Sequence, residues 1–296
     1  MRELDIIKEI RRRSGDPGKS VLIGIGDDCA VIKPDSTKYL LWASDMLVEG
    51  THFIVKKDPY ELIGRKAVAV NISDIASMGG IPKYITVSLA LPRKMTDQAI
   101  GKIYDGIFGI CKAYGVKVIG GDTNGSEKLV INISIIGQVE KKRLITRSGA
   151  RSGDVIFITG PVRSGKKAHL TFVPRLKEAR YLTARYSISA MIDTSDGIAL
   201  DISRICAESD TGCVIQEEKI PLSDGLKLKD ALFYGESFEL LFTMTENSAD
   251  VFRSKRDDKR TGCYEIGRIT SRRNGLKLSC RDGKNKMLEE NGFKHI

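Results

Sequence analysis

The sequence predicts an α/β to α+β protein built from two domains, and three observations carry that expectation. Short apolar runs of β character alternate with stretches in which apolar residues recur every three or four positions, the signature of sheets layered with helices. The chain has 296 residues, long enough for two cores at about 100–200 residues per domain. Its composition, 41% apolar and 29% charged, is that of a globular chain and excludes disordered and collagen-like classes.

The elements follow in order. Residues 1–10 form a charged amphipathic segment and lack the features of a signal peptide. Strands are predicted over 21–25, 39–43, 84–91, 116–119 and 129–136. Between them, 59–78 and 96–114 carry helical periodicity, opened by Asp58-Pro59 and by Thr96 as helix starts. The basic, turn-rich stretch KKRLITRSGARSG marks a domain boundary near 147–149, giving an N-terminal domain 1–148 and a C-terminal domain 149–296. Beyond it come a strand over 155–159, a helix over 197–209 capped by Ser195 and Asp196, and strands over 240–244 and 264–269.

Charge and composition narrow the function. A net charge of +10 favours anionic partners such as nucleotides or phosphate esters. The basic residues are dispersed and lack interleaved aromatics, so nucleic acid is not the expected partner. No apolar run approaches the ~20 residues that span a bilayer, which excludes a membrane partner and leads to a cytoplasmic expectation. The six cysteines are scattered without a CxxC pair, and read as reduced, buried hydrophobes.

The informative feature is a pattern in which an apolar run is followed by small residues and then aspartate. It occurs in VLIGIGDD (Asp27, Asp28), YLLWASD (Asp45), AVAVNISD (Asp74), VKVIGGDT (Asp122) and SAMIDTSDG (Asp193, Asp196). A single such aspartate is usually a turn or N-cap residue. Several gathered where elements end would repel one another unless cations neutralised them, and Mg²⁺ takes hard oxygen ligands of this kind together with substrate phosphates. Glycines accompany the acids at Gly24, Gly26, Gly79, Gly80, Gly120, Gly121 and Gly197, where backbone N–H groups could approach phosphate oxygens. A competing P-loop reading of GPVRSGKK fails at its last position, because Lys167 stands where a Ser or Thr would hold Mg²⁺.

The segments GIGDDCAV, ASDMLVEGTHF, NISDIASMGGIP, GGDT, ITRSGARSGD, MIDTSDGIALDI and the closing GFKH, in this order, resemble the thiamine-monophosphate kinase family of the aminoimidazole-ribonucleotide-synthetase-like superfamily. The resemblance implies an N-terminal domain whose strands pair across a homodimer and a C-terminal α+β domain closing a cleft over it. It implies transfer of the γ-phosphoryl of ATP to thiamine monophosphate with Mg²⁺. By position, Asp28, Ser44, Asp45, Asp74, Asp122, Asp193 and Asp196 match the metal ligands, with Asp28, Asp45, Asp122 and Asp196 central to catalysis. Gly121, Asp122, Arg147 and Ser195 match nucleotide-contacting positions, and His52, Glu236 and Phe293 match positions near the thiamine phosphate. Tyr104 is a candidate for stacking on adenine, against the alternative of a helix core residue.

The acceptor in such a transfer is a phosphate oxygen already ionised near neutral pH, so no general base is required. Positioning and charge neutralisation are the tasks left to the protein. The chain departs from the family pattern at Ser237 and Phe238 in GESFELLFT and at Ala43, and its segments 160–193 and 221–235 are shortened. Those departures keep two alternatives open: an ATP-binding homologue with a regulatory role, and another ATP-using enzyme of the same superfamily, such as the hydrogenase-maturation carbamoyl dehydratase.

Overall fold

A computed structural model describes residues 19–33, 37–163, 168–289 and 292. The segment 1–10, the end of the GPVRSGKK stretch and Phe293 lie outside the described residues.

The first half forms a six-stranded sheet in the order β1-β2-β3-β6-β4-β5, where β1 is Val21–Ile23, β2 Ala30–Ile32, β3 Lys38–Val48, β4 Ile81–Pro92, β5 Lys117–Ser126 and β6 Val130–Glu140. All pairings are antiparallel except β4 with β5, and parallel neighbours need a crossover. Helix α2 (Asp97–Tyr114) supplies it, and Thr96 caps that helix by accepting a hydrogen bond from Ala99 N at 3.2 Å. Helix α1 (Tyr60–Ser77) is buried along most of its length, including Lys66, Asn71, Ser73 and Ser77. A helix apolar nearly all round belongs in the middle of a protein. It packs between the first sheet and α2 on one side and elements of the second half on the other.

The second half forms a seven-stranded sheet in the order β13-β12-β9-β11-β7-β10-β8. Its strands are β7 (Val155–Thr159), β8 (Ile188–Asp193), β9 (Thr211–Gln216), β10 (Leu240–Met244), β11 (Cys263–Ser271), β12 (Leu276–Ser279) and β13 (Asn285–Met287). Helices α3 (Ala168–Thr171), α4 (Leu176–Arg185), α5 (Ile198–Ser209), α6 (Leu228–Phe233), α7 (Glu246–Ser254) and α8 (Asp257–Thr261) accompany it. Strands β7 and β10 are buried at every position, as central strands covered on both faces must be. The mixed layering agrees with the α/β to α+β expectation.

Alternation along β3 decides which residues meet. Leu41, Ala43 and Leu47 face the core with α1, whereas Trp42, Ser44 and Met46 face the other side and are exposed. Cross-strand register extends that open face: Trp42 lies opposite Ile136, which lies opposite Tyr84. Met46, Asn132, Ser88 and Asp122 form the next such row.

Candidate active site

Three carboxylates from distant segments converge. Oxygen atoms of Asp28, Asp74 and Asp193 lie within 4.8 Å of one another. Asp28 comes from the turn between β1 and β2, Asp74 from the interior of α1, and Asp193 from the last position of β8. Thus the apolar-run-then-aspartate pattern does not always mark the end of a strand. AVAVNISD is helical, and Asp45 lies inside β3.

Asp45 joins the group electrostatically. Burial pushes the Asp74 carboxyl well above its ordinary value, and the charges of Asp45, Asp193 and Asp28 push it further. Asp193 is shifted in the same direction, by burial first and then by Asp28, while Ser73 Oγ, donating to Asp193 at 2.5 Å, opposes the shift. Asp27 is raised to about 7 by burial and by Asp28. Carboxylates held this close are compatible only if they keep protons or share a cation.

The residues present fit a hard divalent ion: an all-oxygen set, several negative charges and hydroxyls steadying the ligands. Ser77 Oγ donates to Asp28 Oδ2 at 2.7 Å, and Asn71 Oδ1 accepts from the Asp45 amide at 3.2 Å. Cys29, buried beside these acids, has its thiol pushed well up by burial and by Asp74, and is inert there.

Arg147 crosses the group from the segment joining the two halves. Its guanidinium donates to Asp28 Oδ1 through both Nε, at 3.2 Å, and the other arm of the fork. Its backbone N–H donates to Asp27 Oδ2 at 3.1 Å. Burial works against its charge, but Asp28 and Asp27 overcome this and keep it firmly protonated.

Asp27, Asp28, Asp45, Asp74, Asp193 and Arg147 line a cleft of about 920 Å³ that also reaches Ser44, His52, Lys66, Ser195, Asp196, Arg204 and Glu236. In this cleft His52 Nδ1 accepts from the Val48 amide at 3.0 Å, so Nε2 carries the proton. Glu236 sits in left-handed backbone, φ 71°, and pairs with Lys66.

Asp196 and Ser44 line the same cleft, each with protein partners of its own, whereas Asp122, Gly121 and Tyr104 do not line it. Asp196 pairs with Arg204 at 2.5 Å, and it does not cap α5. The cap residue is Gly197, with φ 109°, and the carboxylate of Asp201 accepts from the Asp196 and Gly197 amides at 3.1 Å each. An acid in the first turn has taken over the capping role. The hydroxyl of Ser44 lies on the open face within hydrogen-bond distance of Asn132 Oδ1 and Ile133 O.

Asp122 is exposed on β5, bound by Asn124 Nδ2 at 2.7 Å. It shares the open face with Met46, so the sheet itself separates it from Asp45 and Asp74. Gly121 precedes it, and a Cβ there would stand 1.9 Å from the Val87 carbonyl, so strand packing alone demands glycine. Tyr104 packs against the N-terminal core and stacks on Phe108 at 5.8 Å, outside the cleft.

Sequence reasoning missed Lys66 and Arg204, which line the cleft, and Asn71, Ser73 and Ser77, which steady the acids. A signal for α1 was present: Lys66, Asn71, Ser73 and Ser77 interrupt a helix otherwise apolar on every face. Of the departures from the family pattern, Ala43 and Phe238 line the cleft and Ser237 does not. Ser237 is buried and shares a 2.6 Å hydrogen bond with Thr194 Oγ1, and Phe238 stacks on Phe172 with centroids 4.1 Å apart.

The AIR synthase related protein families match the chain over residues 26–139 (N-terminal domain) and 163–278 (C-terminal domain). Thiamine-monophosphate kinase of Bacillus subtilis (strain 168) is 33% identical, with 100% of both chains covered. Its counterpart from Escherichia coli (strain K12) is 34% identical over 93% of this chain and 92% of its own. Among solved structures, AaThiL complexed with AMPPCP and TMP superposes with a TM-score of 0.84 at 30% identity, covering 99% of this chain and 97% of that one. Hydrogenase maturation protein HypE in complex with ATP, at 19% identity and a TM-score of 0.72 over 87% of each chain, shares the fold. With its acids converging as described and this likeness running from end to end, the chain belongs to the thiamine-monophosphate kinase family.

Proposed function

We propose that the protein phosphorylates thiamine monophosphate to thiamine diphosphate, using ATP and Mg²⁺. The observation that carries this reading is the meeting of Asp28, Asp74 and Asp193 with Arg147 in a cleft that also presents His52 and Glu236. One cleft thus offers both charge neutralisation and acceptor contacts, as transfer between two phosphates requires. Relatives that carry this name, and a neighbour binding AMPPCP and TMP, support it.

Asp28, Asp45, Asp74 and Asp193 would hold Mg²⁺, which supplies charge neutralisation to the phosphates. The fixed guanidinium of Arg147 offsets the negative charge between donor and acceptor, preorganised by its fork on Asp28. His52 presents Nε2–H as a hydrogen-bond donor, its tautomer set by the Val48 amide. The acceptor phosphate is its own nucleophile, and no residue need take its proton.

We further propose a homodimer joined through the open face of the first sheet, where Trp42, Met46, Tyr84 and Ile119 are 49, 53, 44 and 60% exposed. An exposed apolar face beside a ten-residue edge strand such as β5 is a surface that needs covering. A second copy there would give Gly121 and Asp122 a nucleotide to serve. The division into domains 1–148 and 149–296 is supported by the two separate sheets. Six free, buried cysteines support a reducing, cytoplasmic setting, and among the described residues no helix is long and apolar enough to cross a membrane.

The test is direct: purified protein, ATP, Mg²⁺ and thiamine monophosphate, with thiamine diphosphate and ADP quantified together. Equal amounts of both support the reading, and ADP-free, product-free mixtures in the presence of bound ATP refute it.

A further inference from the structure

Lys66 is fully buried in the middle of α1, and its ammonium has three protons to place. It donates to the His52 carbonyl at 2.8 Å, to His169 Nδ1 at 2.9 Å and to Glu236 Oε1. With every proton committed to protein, Lys66 has none left for a substrate. Its three acceptors come from three separate segments: the turn after β3, helix α3, and the irregular stretch before β10. Two of them, His52 and Glu236, line the cleft.

The Glu236 side of this arrangement is held under backbone strain. Glu236 and Phe238 both have positive φ, 71° and 51°, a conformation that side-chain-bearing residues seldom adopt. Between them, Ser237 is pinned by Thr194, and the Glu236 and Phe238 amides donate to Ser195 O and Thr194 O. The stretch is thus fixed from behind, and Lys66 fixes the carboxylate from the front. Glu236 Oε2 lies 3.6 Å from His169 Nδ1, beyond hydrogen-bond reach, and the side chain keeps 19% of its surface. One carboxylate oxygen is held and the other faces the cleft.

We propose that Lys66, steadied by His169, is the positioning residue of the acceptor pocket: it fixes Glu236 and the His52 turn relative to each other, so that both are presented to the acceptor in one arrangement. The inference rests on the proposed function and adds to it the residues that set acceptor fit. Burial lowers the Lys66 pKa while Glu236 opposes this, so the pair holds as an ion pair only while both members are present.

The experiment compares Lys66→Met, His169→Leu and His169→Asn with the wild type, measuring KM for thiamine monophosphate and for ATP separately, together with kcat and the melting temperature. The amide oxygen of Asn can accept where His169 Nδ1 does. Expected are a KM for thiamine monophosphate raised at least tenfold in Lys66→Met and several-fold in His169→Leu, a KM for ATP within twofold, and recovery in His169→Asn. If Lys66→Met does not fold, the His169 pair decides alone, since His169 is partly exposed. An unchanged acceptor KM in His169→Leu, a parallel rise in both KM values, or no recovery in His169→Asn overturns the inference. A wild type that makes no thiamine diphosphate counts against the function itself, and that is seen before any variant is made.

Discussion

Replacing Asp74 by asparagine should make the protein more stable and less active at once. Asp74 sits within 4.8 Å of acidic oxygens on both Asp28 and Asp193. At that separation each pair of full charges repels by about 3.5 kcal/mol at an effective dielectric of about 20. Burial and the neighbouring charges push Asp74 and Asp193 upward, so bound protons take up part of this repulsion. What remains to be relieved is on the order of 1–2 kcal/mol, or a rise in melting temperature of about 2–6 °C for a chain of this size. The same substitution removes one anionic ligand from a set that would bind divalent ions, and should lower kcat by about 10²-fold or more. Melting curves in chelator and in Mg²⁺ with ATP give both signs in one experiment. Asp74→Asn should melt above wild type in chelator and lose most of the upshift with Mg²⁺ and ATP. A variant that melts lower in chelator, with its Mg²⁺ response intact, refutes the reasoning.

Further outcomes follow from the same geometry. Asp27 and Asp201 are raised from 3.8 to about 7, by burial first in each case and then, for Asp27, by Asp28. Groups raised on folding contribute stability below their unfolded pKa and lose it as pH rises to the folded value. Without divalent cations, stability should therefore fall from about pH 4 to pH 7, with a slope of up to about 1.4 kcal/mol per pH unit for each group. Denaturant melts across that window, with and without Mg²⁺, check this. Arg147→Lys keeps the charge but cannot reproduce the fork on Asp28, and should cost about 1.5–3 kcal/mol of transition-state stabilisation, read as kcat/KM for ATP. His52→Asn keeps an acceptor for the Val48 amide and loses the Nε2–H donor, so it should melt like wild type and raise KM for thiamine monophosphate. Met46→Glu, on the open face, should convert a dimer to a monomer in light scattering while leaving the single chain folded.

Much of the fold was legible because its signals are local. The strand over 155–159, the strand over 240–244 and the Thr96 cap of α2 stand where apolar runs and capping chemistry put them. The site was legible only in part, since convergence is not a local property. Asp45 and Asp122 carry the same sequence signature, yet strand parity and register put them on opposite faces of one sheet. AVAVNISD lies within the helix expected over 59–78, so its aspartate sits inside an element, and the pattern shared with the strand-ending copies marks no common position in the fold. Lys66 was passed over because a charge within an apolar helix reads as a solvated face until its three acceptors, from distant segments, are in place.

The account depends most on the acids of α1, β8 and the β1–β2 turn acting together as a seat for divalent ions beside a triphosphate. Anomalous diffraction from crystals grown with Mn²⁺ and AMPPCP tests this most directly. Manganese peaks within coordinating distance of Asp28, Asp74 and Asp193, shared with phosphate oxygens, are predicted. Nucleotide bound in the cleft with no manganese at these three carboxylates would contradict it.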